Sequence, residues 1–180
     1  MAPDHRLFFA LYPDTATALR IAALASRVRA ELGLKGRPQD SHRFHITLHH
    51  LGDFVGLPQR ERAAAEAAAA TLRCAPFALH FDHLLSFERK NARNRPLVLG
   101  GGSGLDAARQ LRRQLGEVLA PAGLARPGSF TPHLTLLYDD ALVPQRPIEA
   151  LGWRADELVL VNSLIGQHRH VPLARWPLRA

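Results

Sequence analysis

One supersecondary pattern runs twice along the 180 residues. Arg6 opens an apolar stretch, an alanine-rich segment follows, and His45-Ile46-Thr47-Leu48 arrives 39 positions after the arginine. Arg95 opens a second apolar stretch, another helical segment follows, and His133-Leu134-Thr135-Leu136 arrives after 38 positions. Repetition of one unit at nearly fixed spacing points to two similar lobes that face each other about a pseudo-twofold axis, with equivalent residues meeting at the seam. At 47% hydrophobic residues, a chain of this length closes one substantial core. Residues 1–180 are therefore expected to form a single domain of two pseudo-symmetric lobes.

Local signals fill in the units. Leu7 to Tyr12 is short, apolar and aromatic, and Pro13-Asp14 closes it, which reads as a buried strand ending in a turn. Residues 14–32 place Leu19, Ala22, Ala23, Ser26 and Leu32 near helical spacing, with Gly33 as the stop. A strand over 44–51, a helix over 58–73 and a long strand over 77–87 follow. The second unit reads as a strand over 95–99, a helix capped by Ser103 and Asp106 that runs to about residue 120, and a strand over 133–138. Strands over 157–165 and 168–176 end the chain, the last holding Pro172 and so expected at an edge.

The two tetrads carry the chemistry. Alternate side chains of a strand share a face, so His45 and Thr47 point one way and Ile46 and Leu48 the other, and the second tetrad repeats this. Each strand thus anchors itself through aliphatic residues and presents an imidazole beside a hydroxyl. Two such strands across a cleft supply two imidazoles, and because imidazole titrates near neutrality one serves as base while the other, protonated beside a phosphate, serves as acid. Thr47 and Thr135 are placed to donate to phosphoryl oxygens. This pairing suits cleavage of a cyclic phosphodiester without a metal, and residues alone leave open which histidine takes which role.

Other features exclude alternatives. Twenty-three basic against 16 acidic residues give a formal charge of +7, carried almost wholly by arginine, which suits a phosphate-rich partner. Cys74 is the single cysteine, so no internal disulfide forms and no zinc knuckle is available. No apolar run is long enough for a membrane span, and a cytoplasmic location is expected. His45, His49 and His50 lie close in sequence, as do His168 and His170, but His45 and His49 would sit roughly 13 Å apart along one strand face, too far to share an ion. No catalytic metal is expected. Gly102-Ser103-Gly104-Leu105-Asp106-Ala107 imitates a dinucleotide fingerprint, but the acidic residue at the end of a second parallel strand is missing, and no cofactor is expected. The run Arg89-Lys90-Asn91-Ala92-Arg93-Asn94-Arg95 reads as a basic connector able to steer RNA phosphates, and Phe130 offers a stacking face ahead of the second tetrad.

The tetrads, together with Arg6-Leu7-Phe8-Phe9-Ala10-Leu11, Phe130-Thr131-Pro132-His133, Ser163 and Trp176-Pro177-Leu178, resemble the 2H phosphoesterase superfamily, in particular its RNA 2′,3′-cyclic phosphodiesterases, also called 2′-5′ RNA ligases. The resemblance implies an α+β, bilobal duplicated fold with two antiparallel sheets lining a central cleft and helices packed outside. It implies hydrolysis of RNA 2′,3′-cyclic phosphate ends to 2′-phosphomonoesters, with His45 as proton donor and His133 as proton acceptor. The expected partner is RNA or a nucleotide bearing the cyclic phosphate, with no obligate protein partner. Ligation of 2′-5′ ends, or nucleotide binding without catalysis, are the alternatives for the same cleft. Relatives often continue the second motif as H-x-T-L-x-R, whereas Tyr138 stands at the arginine's place here. Tyr138 then becomes a candidate base-stacking residue, and Arg43 or Arg95 the candidate supporting cation.

Overall fold

The structure, a computed structural model, describes residues 1–88 and 93–180. Of the basic connector, residues 89–92 lie outside the described residues. The chain opens with β1 (His5–Leu11) and turns through Pro13 into α1 (Thr15–Glu31), whose first turn is capped by Asp14. The Asp14 carboxylate accepts from the Thr17 backbone N–H at 2.8 Å and the Thr17 hydroxyl at 2.7 Å, satisfying an otherwise orphaned donor. Ala18, Ile21, Leu24, Ala25 and Val28 fall on one face of α1 and are buried. Next come β2 (Ile46–Phe54), α2 (Gln59–Ala70) and β3 (Phe77–Ser86). The second unit is β4 (Arg95–Gly100), α3 (Leu105–Leu119) and β5 (Leu134–Asp139), and β6 (Arg146–Ala155), β7 (Glu157–Leu164) and β8 (Arg169–Pro177) finish the chain.

Two four-stranded antiparallel sheets result, ordered β2-β1-β7-β8 and β5-β4-β3-β6. The orders correspond position by position. Each histidine-bearing strand is an edge, and each pairs with the arginine-led strand of its own unit. The fold is the expected duplicated α+β arrangement. Apolar side chains from both sheets and all three helices merge into one cluster, in which α3 contributes Leu105, Leu111, Leu115 and Leu119. Fully burying one such leucine stabilises the fold by roughly 2 kcal/mol. A second, small cluster of Phe8, Ala10, Val159 and Val161, joined by Tyr12, covers the opposite face of the first sheet. Strand β1 is thus buried on both sides, which explains its uninterrupted apolar sequence. Among the described residues no helix is long and apolar enough to cross a membrane.

The register shows a feature that alternation alone does not foresee. Between β1 and β2, Phe9 pairs with His49 but Ala10 pairs with Thr47, leaving Leu48 as an extra residue. Between β4 and β5, Leu97 pairs with Leu137 but Val98 with Thr135, leaving Leu136 as the extra residue. The same position of each tetrad therefore carries a bulge, and parity reverses beyond it. Leu48 and His49 are both buried, as are Leu136 and Leu137. His49 does not share the face of His45, contrary to simple alternation: its Nε2 lies 3.1 Å from the Leu124 carbonyl and 3.0 Å from the Arg126 backbone N–H.

Other departures from the sequence reading have local causes. Ladder pairing starts at Ile46 and Leu134, one residue after each histidine. Ser103 does not cap α3. Gly104, in the left-handed conformation at φ 81°, precedes the helix, and the Ser103 hydroxyl lies 3.0 Å from His80 Nδ1. Strand β6 has no signal of its own, since it begins at an arginine and a proline and exposes most of its first half, and it exists because β3 offers an edge. Strand β8 is an edge strand as expected, with Pro172 beside its register shift.

The segment after α1 seals the edge of β5. Gln39 N–H donates to the Leu136 carbonyl at 2.8 Å, and the Lys35 and Gly36 N–H groups both donate to Asp139 Oδ2 at 2.7 Å. At Gly36 the backbone comes so close to the Tyr138 carbonyl that no Cβ fits between them. Gly36→Ala is accordingly expected to lower unfolding free energy by about 2 kcal/mol in urea titrations, as overpacking against fixed backbone does.

Candidate active site

Both histidines are wired to the backbone in the same way. His45 Nδ1 lies 2.6 Å from the Arg43 carbonyl, and His133 Nδ1 lies 2.7 Å from the Thr131 carbonyl, each two residues upstream. A carbonyl only accepts, so each Nδ1 carries the proton and each neutral ring keeps its lone pair on Nε2. The Thr47 hydroxyl, 3.0 Å away, donates to that lone pair of His45. The aliphatic partners Ile46, Leu48, Leu134 and Leu136 are buried, and this locks each strand so that the ring and its hydroxyl neighbour stay on the cleft side.

A cleft of about 400 Å³ is lined by His45, Thr47, His133 and Thr135 together with Arg6, Phe8, Gln39, Arg43, His50, Tyr138, Ser163 and His170. The sheets meet here as equivalent edges. The bulges bring His50 and Tyr138, each five residues after a tetrad histidine, onto the wall beside the threonines. Tyr138 is 39% exposed at this wall. Of the residues singled out in the sequence, His45, Thr47, His133, Thr135, Arg43 and Tyr138 are assembled in the cleft, whereas Arg95 and Phe130 are not. Arg95 turns its guanidinium to the Asp140 carbonyl. Phe130 packs against the core and lies under the Arg112 guanidinium, 5.2 Å from its ring centre.

Sequence reasoning missed Phe8, Gln39, His50 and His170 as cleft residues. Parity along β1 carries a signal for Phe8, because Arg6, Phe8, Ala10 and Tyr12 alternate with the core residues Leu7, Phe9 and Leu11. The continuous apolar run hides it. His50 is displaced by the bulge, and His170 comes from a strand 125 residues after His45, so neither leaves a local trace.

Charge in the cleft is ordered. Arg6 forms a two-pronged pair with Asp53, Nε to Oδ1 and Nη2 to Oδ2 at 2.7 Å each, and His50 Nε2 lies 3.0 Å from Asp53 Oδ1. The Arg6 fork, aided by His50, holds the Asp53 carboxyl down at about 2. Arg43 differs: its Nε is buried and has no hydrogen-bond partner among the described residues, which suits a cation that meets an anionic ligand. Among the described residues no three His, Cys, Asp or Glu side chains converge as a metal-binding group.

Enclosure shapes the imidazoles. Phe8 and Tyr12 stack near His45 at centroid distances of 5.1 and 5.6 Å, and His170 meets it edge-on at 5.0 Å. Burial pushes His45 down to about 4, with the nearby Arg43 and His133 acting in the same direction. His133, with Phe87 edge-on at 4.8 Å, is also lowered by burial, and His170 falls to about 3 through burial and then the charge of His45. These groups are neutral in the folded protein yet take up protons in the unfolded chain below about pH 6.5. Stability attributable to them is full above that value and is lost as the pH falls through it towards 4 and 3. Thermal unfolding followed from about pH 7.5 to about 5 is expected to show a declining midpoint, with a shallower decline in His170→Phe.

Comparisons with known proteins place this geometry. The profile of the 2′-5′ RNA ligase superfamily matches residues 13–166, a span holding both tetrads. Among solved structures, E. coli LigT complexed with 3′-AMP is 27% identical over 99% of each chain, with a TM-score of 0.73. The Thermus thermophilus protein TT0787 is 25% identical over 97% of this chain and 98% of its own, with a TM-score of 0.71. Usb1 of Kluyveromyces marxianus, 15% identical over 97% of each chain at a TM-score of 0.54, shares the fold. No curated protein sequence matches the chain. With its profile matched over most of the sequence and its two tetrads gathered into one cleft, the chain belongs to the 2′-5′ RNA ligase superfamily.

Proposed function

We propose that the protein hydrolyses RNA 2′,3′-cyclic phosphate ends to 2′-phosphomonoesters by general acid–base catalysis between His133 and His45. The observation that carries this reading is the duplicated Nδ1–carbonyl bond, which leaves two Nε2 atoms in one cleft, available to move protons at a single phosphate. His133 Nε2 takes a proton from a water molecule as its oxygen attacks phosphorus. The bond from phosphorus to the ribose 3′-oxygen breaks, and His45 Nε2–H gives that oxygen its proton. Thr47, Thr135 and Arg43 hold the non-bridging oxygens, whose charge grows in the transition state. The ring of the substrate fixes the leaving oxygen in place, so positioned side chains suffice.

The enclosure of His45 supports the donor role. Once protonated, an imidazolium with a depressed pKa is the stronger acid, suited to a departing alkoxide. Its proton comes with the ligand, because an anionic phosphate beside the ring favours the charged form. Inorganic phosphate is therefore expected to bind more tightly as the pH falls from about 7.5 to about 5.5, with uptake of protons measurable by calorimetry in buffers of differing ionisation heat. The likeness to E. coli LigT, a protein seen complexed with 3′-AMP, supports a nucleotide as ligand.

The test is hydrolysis of nucleoside and oligonucleotide 2′,3′-cyclic phosphates in excess EDTA. His45→Ala and His133→Ala are each expected to lower kcat by about 10³-fold with an unchanged circular dichroism spectrum. Wild-type turnover in either variant would overturn the assignment. Affinity for the cyclic nucleotide without product would leave a binding module, and joining of 2′-5′ ends faster than hydrolysis would make ligation the reaction.

A further inference from the structure

The aromatic surroundings of His45 do not recur at His133. Phe8 and Tyr12, in and just beyond β1, and His170 from β8 crowd His45, whereas among the described residues Phe87 alone stands edge-on to His133. Within the larger group, His170 and Tyr12 are tied together: Tyr12 Oη lies 3.1 Å from His170 Nδ1, although the residues are 158 positions apart. The phenol keeps its proton at every pH of interest, since burial raises it above the usual tyrosine range. Protonated, the phenol can donate to a bare Nδ1 or accept from Nδ1–H, and in either case the bond ties the His170 ring to Tyr12. His170 lines both the cleft and a further cavity of about 410 Å³, and Tyr12 lines the latter beside it.

We propose that Tyr12 and His170 act as a hydrogen-bonded clamp that positions the His45 imidazole and keeps water from its ring in the free protein. Each contact has a separate job. Tyr12 and Phe8, four residues apart and on the same side of the chain, offer ring faces that fix the plane of His45. His170 abuts the ring at 77°, which blocks rotation in the direction the stacked rings leave open. The Arg43 carbonyl then sets which nitrogen holds the proton. Charged or titratable groups facing this assembly are Arg43 and His42 before β2, His133 ahead of β5, and Arg175 on β8 beside Tyr12. None of them is an anion, so proton uptake by His45 waits for an anionic ligand. His170 is on this view a positioning residue, acting through His45.

The test uses the free full-length protein first. In NMR titrations, with His45 assigned by comparison with His45→Asn, His170→Ala is expected to move the His45 midpoint up towards the ordinary imidazole value, while His170→Phe, which restores the ring, leaves it low. Kinetics form the second half, which rests on the proposed hydrolysis. Tyr12→Phe and His170→Phe, both near-isosteric, are expected to lower kcat about five-fold each with KM within about two-fold, and the double variant to be no slower than the slower single one, as for residues acting as one unit. His170→Gln, which keeps a hydrogen-bonding partner for the phenol, is expected to recover part of the loss. An unmoved His45 midpoint in His170→Ala, or wild-type kcat in both phenylalanine variants, would overturn the clamp. Should no cyclic phosphate be hydrolysed by the wild type, the reaction falls and the titration still decides the clamp.

Discussion

The candidate site is organised by two short hydrogen bonds from imidazole Nδ1 to a carbonyl two residues upstream. They are possible because the ladder starts one residue after each histidine. The preceding carbonyl is then free to turn towards the ring. In return the ring loses its choice of tautomer, and the nitrogen left with its lone pair is Nε2, the one farther from the backbone. Burial of the aliphatic residues on either side of each threonine supplies the rigidity that such a bond needs.

The two halves share this wiring and differ in what surrounds it. The first sheet has an aromatic and aliphatic floor, built from Phe8, Ala10, Val159 and Val161, on which His45 rests. The two tetrads thus hold their imidazoles in the same way but in different surroundings. Ring packing is where the otherwise two-fold arrangement departs from symmetry.

Much of this was legible in the residues. The near-equal spacing of Arg6 to His45 and Arg95 to His133 announced the duplicated fold, and alternation within H-x-T-L announced which side chains face the cleft. What stayed hidden is long-range. His170 reaches His45 from the last strand, and Phe8 is masked because β1 is apolar on both faces. Arg95 looked equivalent to Arg6, but Arg6 finds Asp53 across a ladder, whereas Arg95 turns to the Asp140 carbonyl at the end of its strand pair. Strand β6 is invisible to propensity because only the edge of β3 calls it into existence.

The bulge at the leucine of each tetrad has a wider consequence. It divides the strand into a stretch that carries the tetrad and a stretch that holds its surroundings, where His49 is bonded to the backbone near Leu124 and Asp139 takes the N–H groups of Lys35 and Gly36. Upstream of the bulge lie the histidine, its hydroxyl neighbour and the buried aliphatic residues that anchor them. Downstream, His50 and Tyr138 reach the same wall from a ladder whose register the bulge has already reset. A strand built this way can alter the wall at His50 or Tyr138 by one side chain per sheet and leave the two tetrad histidines and their carbonyl bonds in place.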